Sequence, residues 1–165
     1  PTEPEKDLAL VYSPGDRLQL LETTGGEVWS SADRFGGASM YLLLPLDNPG
    51  MVENKTFFPM RIRVEDLNGD GTDEVIVAQN QDLANRRLQQ RRHFTKTRLS
   101  VLSWDGLGLG PVWNTRTLSG HIRDIALGDF DGDGIEELMA VLVIKEGRII
   151  GMDPRCAVIA FDIRP

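Results

Sequence analysis

The sequence predicts an all-β domain built from repeated antiparallel sheets, and three observations support that fold class. The apolar segments are short and include β-branched runs such as Val75-Ile76-Val77, which are typical of buried strands. Glycine (17 residues) and proline (9 residues) interrupt the chain often, as the many turns of an all-β chain require. One loop pattern occurs twice, starting at Asp66 and Asp129, 63 residues apart, which indicates a repeated structural unit.

The repeated loop reads D-x-[DN]-G-D-G-x-[DE]-E and spans residues 66–74 and 129–137. Each copy lies between two apolar runs, so each loop is expected to join two strands. Side-chain oxygens at positions 1, 3 and 5 suit Ca²⁺, which takes about 6–8 oxygen ligands. The glycine at position 6 lets a short loop fold back around the ion. The pattern therefore predicts two calcium sites.

An EF-hand loop opens with the same pattern, but it needs a bidentate glutamate at position 12 and a following helix. Position 12 is Val77 in the first copy and Ala140 in the second, and strand-like runs follow both loops. The acid that closes each cage is therefore expected at position 9, with a backbone carbonyl from position 7. The predicted ligands are Asp66, Asn68, Asp70, Thr72 and Glu74 in the first loop and Asp129, Asp131, Asp133, Ile135 and Glu137 in the second.

A metal-free turn is the alternative for both loops, because Asp-Gly and Asn-Gly pairs are also the strongest short-range hairpin signal. Two copies, each with three spaced side-chain oxygens and two glycines, favour calcium instead. Like charges that are crowded into one loop repel each other unless a cation neutralises them.

The strand, the D-x-[DN]-G-D-G-x-x-[DE] loop and the apolar strand that follows resemble the FG-GAP or VCBS repeat, over roughly residues 57–80 and 120–145. That family includes the propeller of integrin α-chains and many bacterial envelope proteins. The resemblance implies β-propeller blades of four antiparallel strands, with Ca²⁺ in the loop between the first two strands. It also implies ligand or protein binding, in adhesion or envelope assembly, by loops at one end of the propeller. Glutamate at position 9, where the family often has aspartate, is a departure.

A partial propeller of about three blades is the expected architecture. The run 17–21 followed by Val28-Trp29 matches the run 98–102 followed by Val112-Trp113, which suggests the third and fourth strands of two successive blades. Incomplete blades are expected to expose sheet edges, which favour self-association. The predicted divisions are a linker (1–7) and one domain (8–165), with blade pieces 8–31, 57–117 and 120–165 and insertions 32–56 and 79–97.

The second insertion, 79–97, is rich in arginine and contains no acid after Asp82. Asp82 could cap a short helix, and the alternative is an extended hairpin between two blade strands. The basic side chains either form a solvated face that balances the acidic loops or dock an acidic partner through paired hydrogen bonds. The predicted docking residues are Arg86, Arg87, Arg91 and Arg92.

Isolated aromatic and histidine residues are assigned structural roles. Trp29, Trp104 and Trp113 stand at strand ends, where packing in the core or between blades is expected rather than ligand stacking. His93 is expected to belong to the basic face, and His121 is expected to be a polar loop residue.

The acidic composition restricts the choice of partners. A net charge of −7 and a pI of about 4.8 argue against nucleic acid as the main partner. No run approaches the ~18 apolar residues of a membrane-spanning helix, so no transmembrane segment is predicted. The millimolar calcium found outside cells suits weak loops of this kind, which predicts an extracellular, periplasmic or cell-surface location.

The preferred functional interpretation is a non-catalytic calcium-binding domain of a secreted or cell-envelope protein that binds a protein or glycan. The alternative is a polysaccharide lyase or hydrolase on a propeller, because folding could bring two carboxylates together. A third hypothesis is a docking module that acts through the arginine-rich insertion. The sequence contains no nucleophile elbow, two-histidine metal motif or P-loop, so no catalytic residue is predicted.

Overall fold

The computed structural model of the chain describes residues 8–44, 54–82, 92–145 and 153–163. Within these ranges the chain forms thirteen β-strands and no helix, so it contains no helix that could span a membrane. The all-β prediction is confirmed. The strands are β1 (Leu8–Tyr12), β2 (Leu18–Glu22), β3 (Glu27–Ser30), β4 (Tyr41–Leu44), β5 (Asn54–Phe57), β6 (Arg63–Glu65), β7 (Glu74–Asp82), β8 (Phe94–Trp104), β9 (Leu109–Asn114), β10 (Leu118–Ser119), β11 (His121–Gly128), β12 (Glu137–Lys145) and β13 (Arg155–Asp162).

The strands pair antiparallel into four sheets, three of which are successive meanders. Sheet 1 is β1–β2–β3, and sheet 3 is β11–β12–β13. Sheet 2 contains β6–β7–β8–β9 in chain order and the short β10, which pairs with β8 beside β9. Strands β4 and β5 form a separate hairpin. Sheet 2 contains a four-stranded meander, and it lies between two sheets of three strands each. This arrangement agrees with the predicted partial propeller. The described sheets do not close into a barrel.

Each acidic loop connects the first two strands of its sheet, as the family resemblance implies. The first loop leaves β6 and enters β7, where Glu65 pairs with Glu74. The second loop leaves β11 and enters β12, where Gly128 pairs with Glu137. The loops therefore occupy equivalent positions in sheets 2 and 3.

Sheet 2 lies between the other two meanders and buries both of its faces. One face packs Val75, Val77 and Leu102 against sheet 1, together with Leu18 and Phe35. Strands that are buried on both sides carry continuous apolar runs rather than alternating ones, which explains the sequence of β7. The cluster on the opposite face joins sheet 2 to sheet 3 and includes Ile76, Ala78, Leu99, Val101, Ile122, Ile125, Leu138, Ala140 and Leu142.

Tryptophans bridge neighbouring sheets, which confirms the packing role expected for them. The Trp29 ring meets the Trp104 ring edge to face, with centroids 6.4 Å apart, across sheets 1 and 2. Trp113 meets Phe161 at 5.8 Å across sheets 2 and 3. A Cβ atom at Gly108 would lie 2.5 Å from Nε1 of Trp29, so the glycine-rich β8–β9 hairpin leaves room for that ring.

The first insertion is attached to β7 through the backbone of Gly36. Its N–H donates to the Ala78 carbonyl at 2.5 Å, and its carbonyl accepts the Asn80 N–H at 2.9 Å. Gly36 has a φ of 70°, and a Cβ atom there would lie 3.1 Å from the Tyr12 ring. A glycine is therefore required for both the turn and the close approach.

The second insertion begins and ends as a continuation of the β7–β8 hairpin, whose register runs to Asp82 opposite Phe94. This arrangement supports the extended-hairpin alternative at both ends of the 79–97 segment. The possible short helix after Asp82 falls on residues 83–91, outside the described ranges, as does the expected linker at 1–7.

The expectation for His121 is wrong, because this residue is buried as the first residue of β11. Its ring lies against Phe94, with centroids 6.0 Å apart, and Nε2 is 3.5 Å from Oγ of Ser39.

Asn80 joins the first insertion and sheet 3 to β7. Its Nδ2 donates to the carbonyls of Gly37 and Ile122, both at 2.8 Å, and its Oδ1 accepts the Ile122 N–H at 2.9 Å. The side chain is buried. Because it pairs with backbone groups of two other segments, Asn80 fixes the distance between sheets 2 and 3 at this point.

We expect Asn80→Ala to lower the free energy of unfolding by roughly 2–4 kcal/mol, since it leaves buried backbone groups of Gly37 and Ile122 without this partner. Urea denaturation measures the change. Gln81 follows Asn80 in the sequence and is exposed, so Gln81→Ala is the control. Its free energy of unfolding should stay within about 0.5 kcal/mol of the parent value. Equal midpoints for the two variants would contradict the role assigned to Asn80.

Candidate metal centre

The carboxylate at position 1 organises each acidic loop by accepting the backbone N–H groups of the glycines at positions 4 and 6. Asp66 accepts these bonds at 2.8 and 2.9 Å, and Asp129 accepts them at 2.6 and 3.0 Å. The loops thus fold in the same way although they are 63 residues apart in the chain.

The side chains at positions 3 and 5 each accept the N–H group two residues further along, in turns typical of Asx residues. For position 3 the distances are 2.8 Å at Asn68 and 3.1 Å at Asp131. For position 5 they are 2.7 Å at Asp70 and 2.8 Å at Asp133. The pKa of the Asp70 carboxyl is lowered chiefly by its hydrogen bond from the Thr72 N–H and secondly by its hydrogen bond with the Asn68 side chain. These bonds favour the charged form of the Asp70 carboxylate.

The glycines at positions 4 and 6 make this inward arrangement of N–H groups possible. Gly69, Gly71, Gly132 and Gly134 all have φ between 73° and 86°. A residue with a Cβ atom is strained in that region. The recurrence of glycine at both positions is thus explained by backbone geometry.

Position 9 holds a buried carboxylate in each copy, at the first residue of β7 or β12. Glu74 and Glu137 are each 4% exposed. Their Oε2 atoms accept the N–H group of position 2, from Leu67 at 3.0 Å and from Phe130 at 2.6 Å. Among the described residues no lysine or arginine forms an ion pair with either glutamate. A buried carboxylate is costly unless a positive charge accompanies it.

The second loop brings its acidic side chains together at one point. Carboxylate oxygens of Asp129, Asp131, Asp133 and Glu137 all lie within 4.8 Å of one another. Ligands that are each about 2.4 Å from one Ca²⁺ ion can be at most ~4.8 Å apart, so this set fits a single ion. All four donors are oxygens, which favours a hard cation over zinc.

The first loop has the same hydrogen bonds but carries an amide at position 3, where Nδ2 of Asn68 lies 3.4 Å from Oε1 of Glu74. It therefore offers three carboxylates where the second loop offers four, and among the described residues only those of the second loop converge on one point. The position 7 residues, Thr72 and Ile135, lie in the loops with exposed side chains, and their carbonyls stay predicted ligands. The position 8 acids, Asp73 and Glu136, are exposed, as expected for residues that face solvent.

The two loops lie side by side, a proximity that a single loop pattern does not predict. A cleft of about 400 Å³ between them is lined by Glu65 and Asp66 from one side and by Ile135 and Glu136 from the other. The acidic loops thus share one end of the stacked sheets.

Arg92 does not extend into solvent as a docking side chain would. Its side chain is 11% exposed, and its guanidinium lies 3.5 Å from the Asp16 carboxylate. It also donates to the Ala38 carbonyl at 3.2 Å and stacks 3.9 Å from the centre of the Phe57 ring. This arrangement gives Arg92 a packing role. The other predicted docking residues, Arg86, Arg87 and Arg91, lie outside the described ranges.

We expect Gly134→Ala to reduce the free energy of unfolding by about 1–2 kcal/mol, because alanine is strained at the positive φ found there. No atom lies within 4 Å of the added Cβ, so the loss isolates backbone strain. Gly110→Ala is the matched control, since that glycine has equal space and no positive φ. Chemical denaturation of both variants checks the prediction, and a loss at Gly110 as large as at Gly134 would refute it.

Comparison with known families agrees with the geometry of the loops. Residues 66–140 match the family described as FG-GAP-like repeat, a stretch that starts at the first loop and includes all of the second. The chain shows no significant match to the curated proteins or the solved structures with which it was compared. This match supports an FG-GAP-like repeat within residues 66–140 of the chain.

Proposed function

We propose that the chain is a non-catalytic calcium-binding module of an extracellular, periplasmic or cell-surface protein, and that it serves ligand binding or adhesion. The observation that carries the calcium proposal is the second loop, where four carboxylates converge within 4.8 Å around the buried Glu137. The FG-GAP-like repeat supports a binding role for the domain.

Electrostatic repulsion within the loop supports the need for a cation. Two like charges about 4 Å apart repel by about 1 kcal/mol in water, and by about 4 kcal/mol at an effective dielectric constant of 20. Four carboxylates form several such pairs, while the backbone N–H groups around them supply only partial positive charge. A divalent ion bound by Asp129, Asp131, Asp133 and Glu137 would offset this repulsion.

Calcium is proposed to act structurally rather than as a catalyst. Each loop connects an outer strand to a strand that is paired on both sides, β7 in sheet 2 and β12 in sheet 3. An ion in the loop would hold the two strands in register at the end of the sheet. Because the ion binds only the folded loop, a hundredfold excess over Kd adds about 2.7 kcal/mol to the stability.

The two loops are proposed to differ in affinity. Calcium affinity rises with the number of charged ligands, and the second loop has Asp131 where the first has Asn68. We therefore infer tighter binding at residues 129–137 than at residues 66–74. Loops of moderate affinity fit compartments with millimolar calcium.

An enzyme that acts on polysaccharides is the alternative function, and no observation in the described residues specifically favours it. The cluster of potential metal-ligating side chains found among these residues belongs to the second loop, where calcium is proposed to bind. Its carboxylates are already committed to the loop's own hydrogen bonds and to the proposed ion.

We expect millimolar Ca²⁺ to raise the melting temperature of the chain above its value in EDTA by about 5–10 °C for each occupied loop, because about 2.7 kcal/mol per site corresponds to such a shift for a domain of this size. Glu137→Gln removes one charged ligand and should reduce this calcium-dependent shift. Differential scanning calorimetry measures both values, with Mg²⁺ for comparison.

The adjacent exposed acid provides the control for this experiment, since Glu136→Gln removes the same charge outside the proposed ligand set. It should retain most of the calcium-dependent shift of the parent. The calcium proposal fails if the parent melts at the same temperature in calcium and in EDTA. The assignment of Glu137 fails if the two glutamine variants respond equally.

Arginine docking is proposed for the three residues of the insertion other than Arg92. Replacing Arg86, Arg87 and Arg91 with glutamine should weaken binding to an anionic glycan such as a sulfated polysaccharide and leave the melting temperature unchanged. Arg92→Gln should instead lower the melting temperature by several degrees, because it removes the contacts with Asp16 and Phe57. Calorimetry together with glycan-affinity chromatography separates the two roles, and an Arg92→Gln chain as stable as the parent would contradict the packing role.

A further inference from the structure

A second cleft lies outside both acidic loops, at a place where three segments that are distant in the chain meet. It has a volume of about 340 Å³, which is near the lower limit for small-molecule sites in proteins. Residues 38–40 of the first insertion form one wall, residues 58–61 form another, and the beginning of β11 forms the third. The lining residues include none from 66–74 or 129–137, so this cleft is separate from the proposed calcium sites.

The floor of this cleft is apolar and belongs to the core between sheets 2 and 3. Ala38, Met60 and Ile122 line it, and all three are buried in the cluster that joins these sheets. Met40 and Phe58 line the cleft from more exposed positions, with 50% and 42% of their surface exposed. An apolar floor with a few polar groups beside it is the usual composition of a small-ligand site.

The charged side chains that line the cleft are two arginines and one aspartate. Arg61 forms an ion pair with Asp124, in which Nε lies 2.9 Å from Oδ1 and Nη2 lies 3.4 Å from Oδ2. Oδ1 of Asp124 also accepts the Ile125 N–H at 2.9 Å. The aspartate is therefore already balanced by Arg61, and the positive charge of Arg123 is left over in a chain whose net charge is −7.

Arg123 has donors available for an anion. Its Nη1 donates to Oγ of Ser39 at 2.7 Å, and within the described part of the chain it forms no ion pair. A guanidinium has five N–H donors, so several remain. Because Ser39 accepts this bond, its own hydroxyl hydrogen can be donated to the same anion. The alternative acceptor, Nε2 of His121, is 3.5 Å away, which is longer than a normal hydrogen bond.

We infer that this cleft binds a small ligand in which a carboxylate is attached to a compact apolar group. The carboxylate accepts hydrogen bonds from Arg123 and Ser39, since a guanidinium matches a carboxylate in both charge and planar geometry. The apolar group covers Met60 and Ile122 and displaces water from them. The inference uses neither calcium nor the arginine-rich insertion, so it and the proposed calcium function can fail independently.

Titration with phenylacetate, followed by amide NMR of the full chain in calcium, tests the inference. This probe combines one carboxylate with one ring, and it should cause saturable shifts at residues 38–40 and 121–124. Phenylacetamide is the uncharged match and should bind at least tenfold more weakly. N-acetylphenylalanine carries the same ring and carboxylate on the end of a peptide, so its affinity relative to phenylacetate distinguishes a peptide terminus from a free acid as the source of the carboxylate.

Two substitutions separate the charged and apolar contributions to binding. Arg123→Gln removes the charge assigned to the carboxylate and should weaken phenylacetate binding by about tenfold or more. Phe58→Ser removes an exposed part of the apolar lining and should weaken it severalfold. Arg116→Gln is the matched control, since this exposed arginine lies outside the cleft, and it should bind phenylacetate as the parent does. Circular dichroism checks that each variant is folded.

Three results would overturn the inference. The first is the absence of saturable shifts with phenylacetate or N-acetylphenylalanine. The second is a set of shifts confined to residues 66–74 and 129–137, because the carboxylate would then be binding calcium in the loops. The third is equal affinity of the Arg123→Gln and Arg116→Gln chains, because the charge of Arg123 would then have no role in binding.

Discussion

The buried glutamate at the start of the second strand of each repeat is the interaction on which the rest of the account depends. Glu74 and Glu137 leave solvent at the point where the acidic loop enters a strand that is paired on both sides. Each accepts the N–H of position 2, and thereby ties the beginning of the loop to its end. Burying a charged carboxylate is costly unless positive charge is nearby, which connects the fold of the sheet to the proposed ion.

The first loop is connected through β7 to the sheets on both sides and to the first insertion. The alternate side chains of this strand pack against sheets 1 and 3, and its far end holds the first insertion through Gly36. The loops are at one end of this strand and the Asn80 bonds are near the other. Calcium at the loops is therefore expected to stabilise the stack of sheets as a whole, which is a structural role rather than a chemical one.

Local features of this fold follow from the sequence, and long-range ones do not. The loops could be predicted because the spacing of their oxygens and glycines determines their hydrogen bonds within nine residues. The burial of His121 depends on Phe94, which is distant in the chain, and no local pattern reveals it. The packing of Arg92 depends in the same way on Asp16 and Phe57. The charge of an arginine run predicts a solvated face, but it does not identify which arginine becomes buried in the folded chain.

Calcium titration by isothermal calorimetry, on chain freed of metal with a chelator and held near pH 7, tests the central claim most directly. Two Ca²⁺ ions per chain are predicted. In the Asp131→Asn variant, the affinity of the tighter site should fall to a value similar to that of the weaker site. That outcome would follow from giving the second loop the ligand set of the first. A parent chain that shows no saturable heat of binding in the millimolar range would contradict the account, and the two loops would then be metal-free turns.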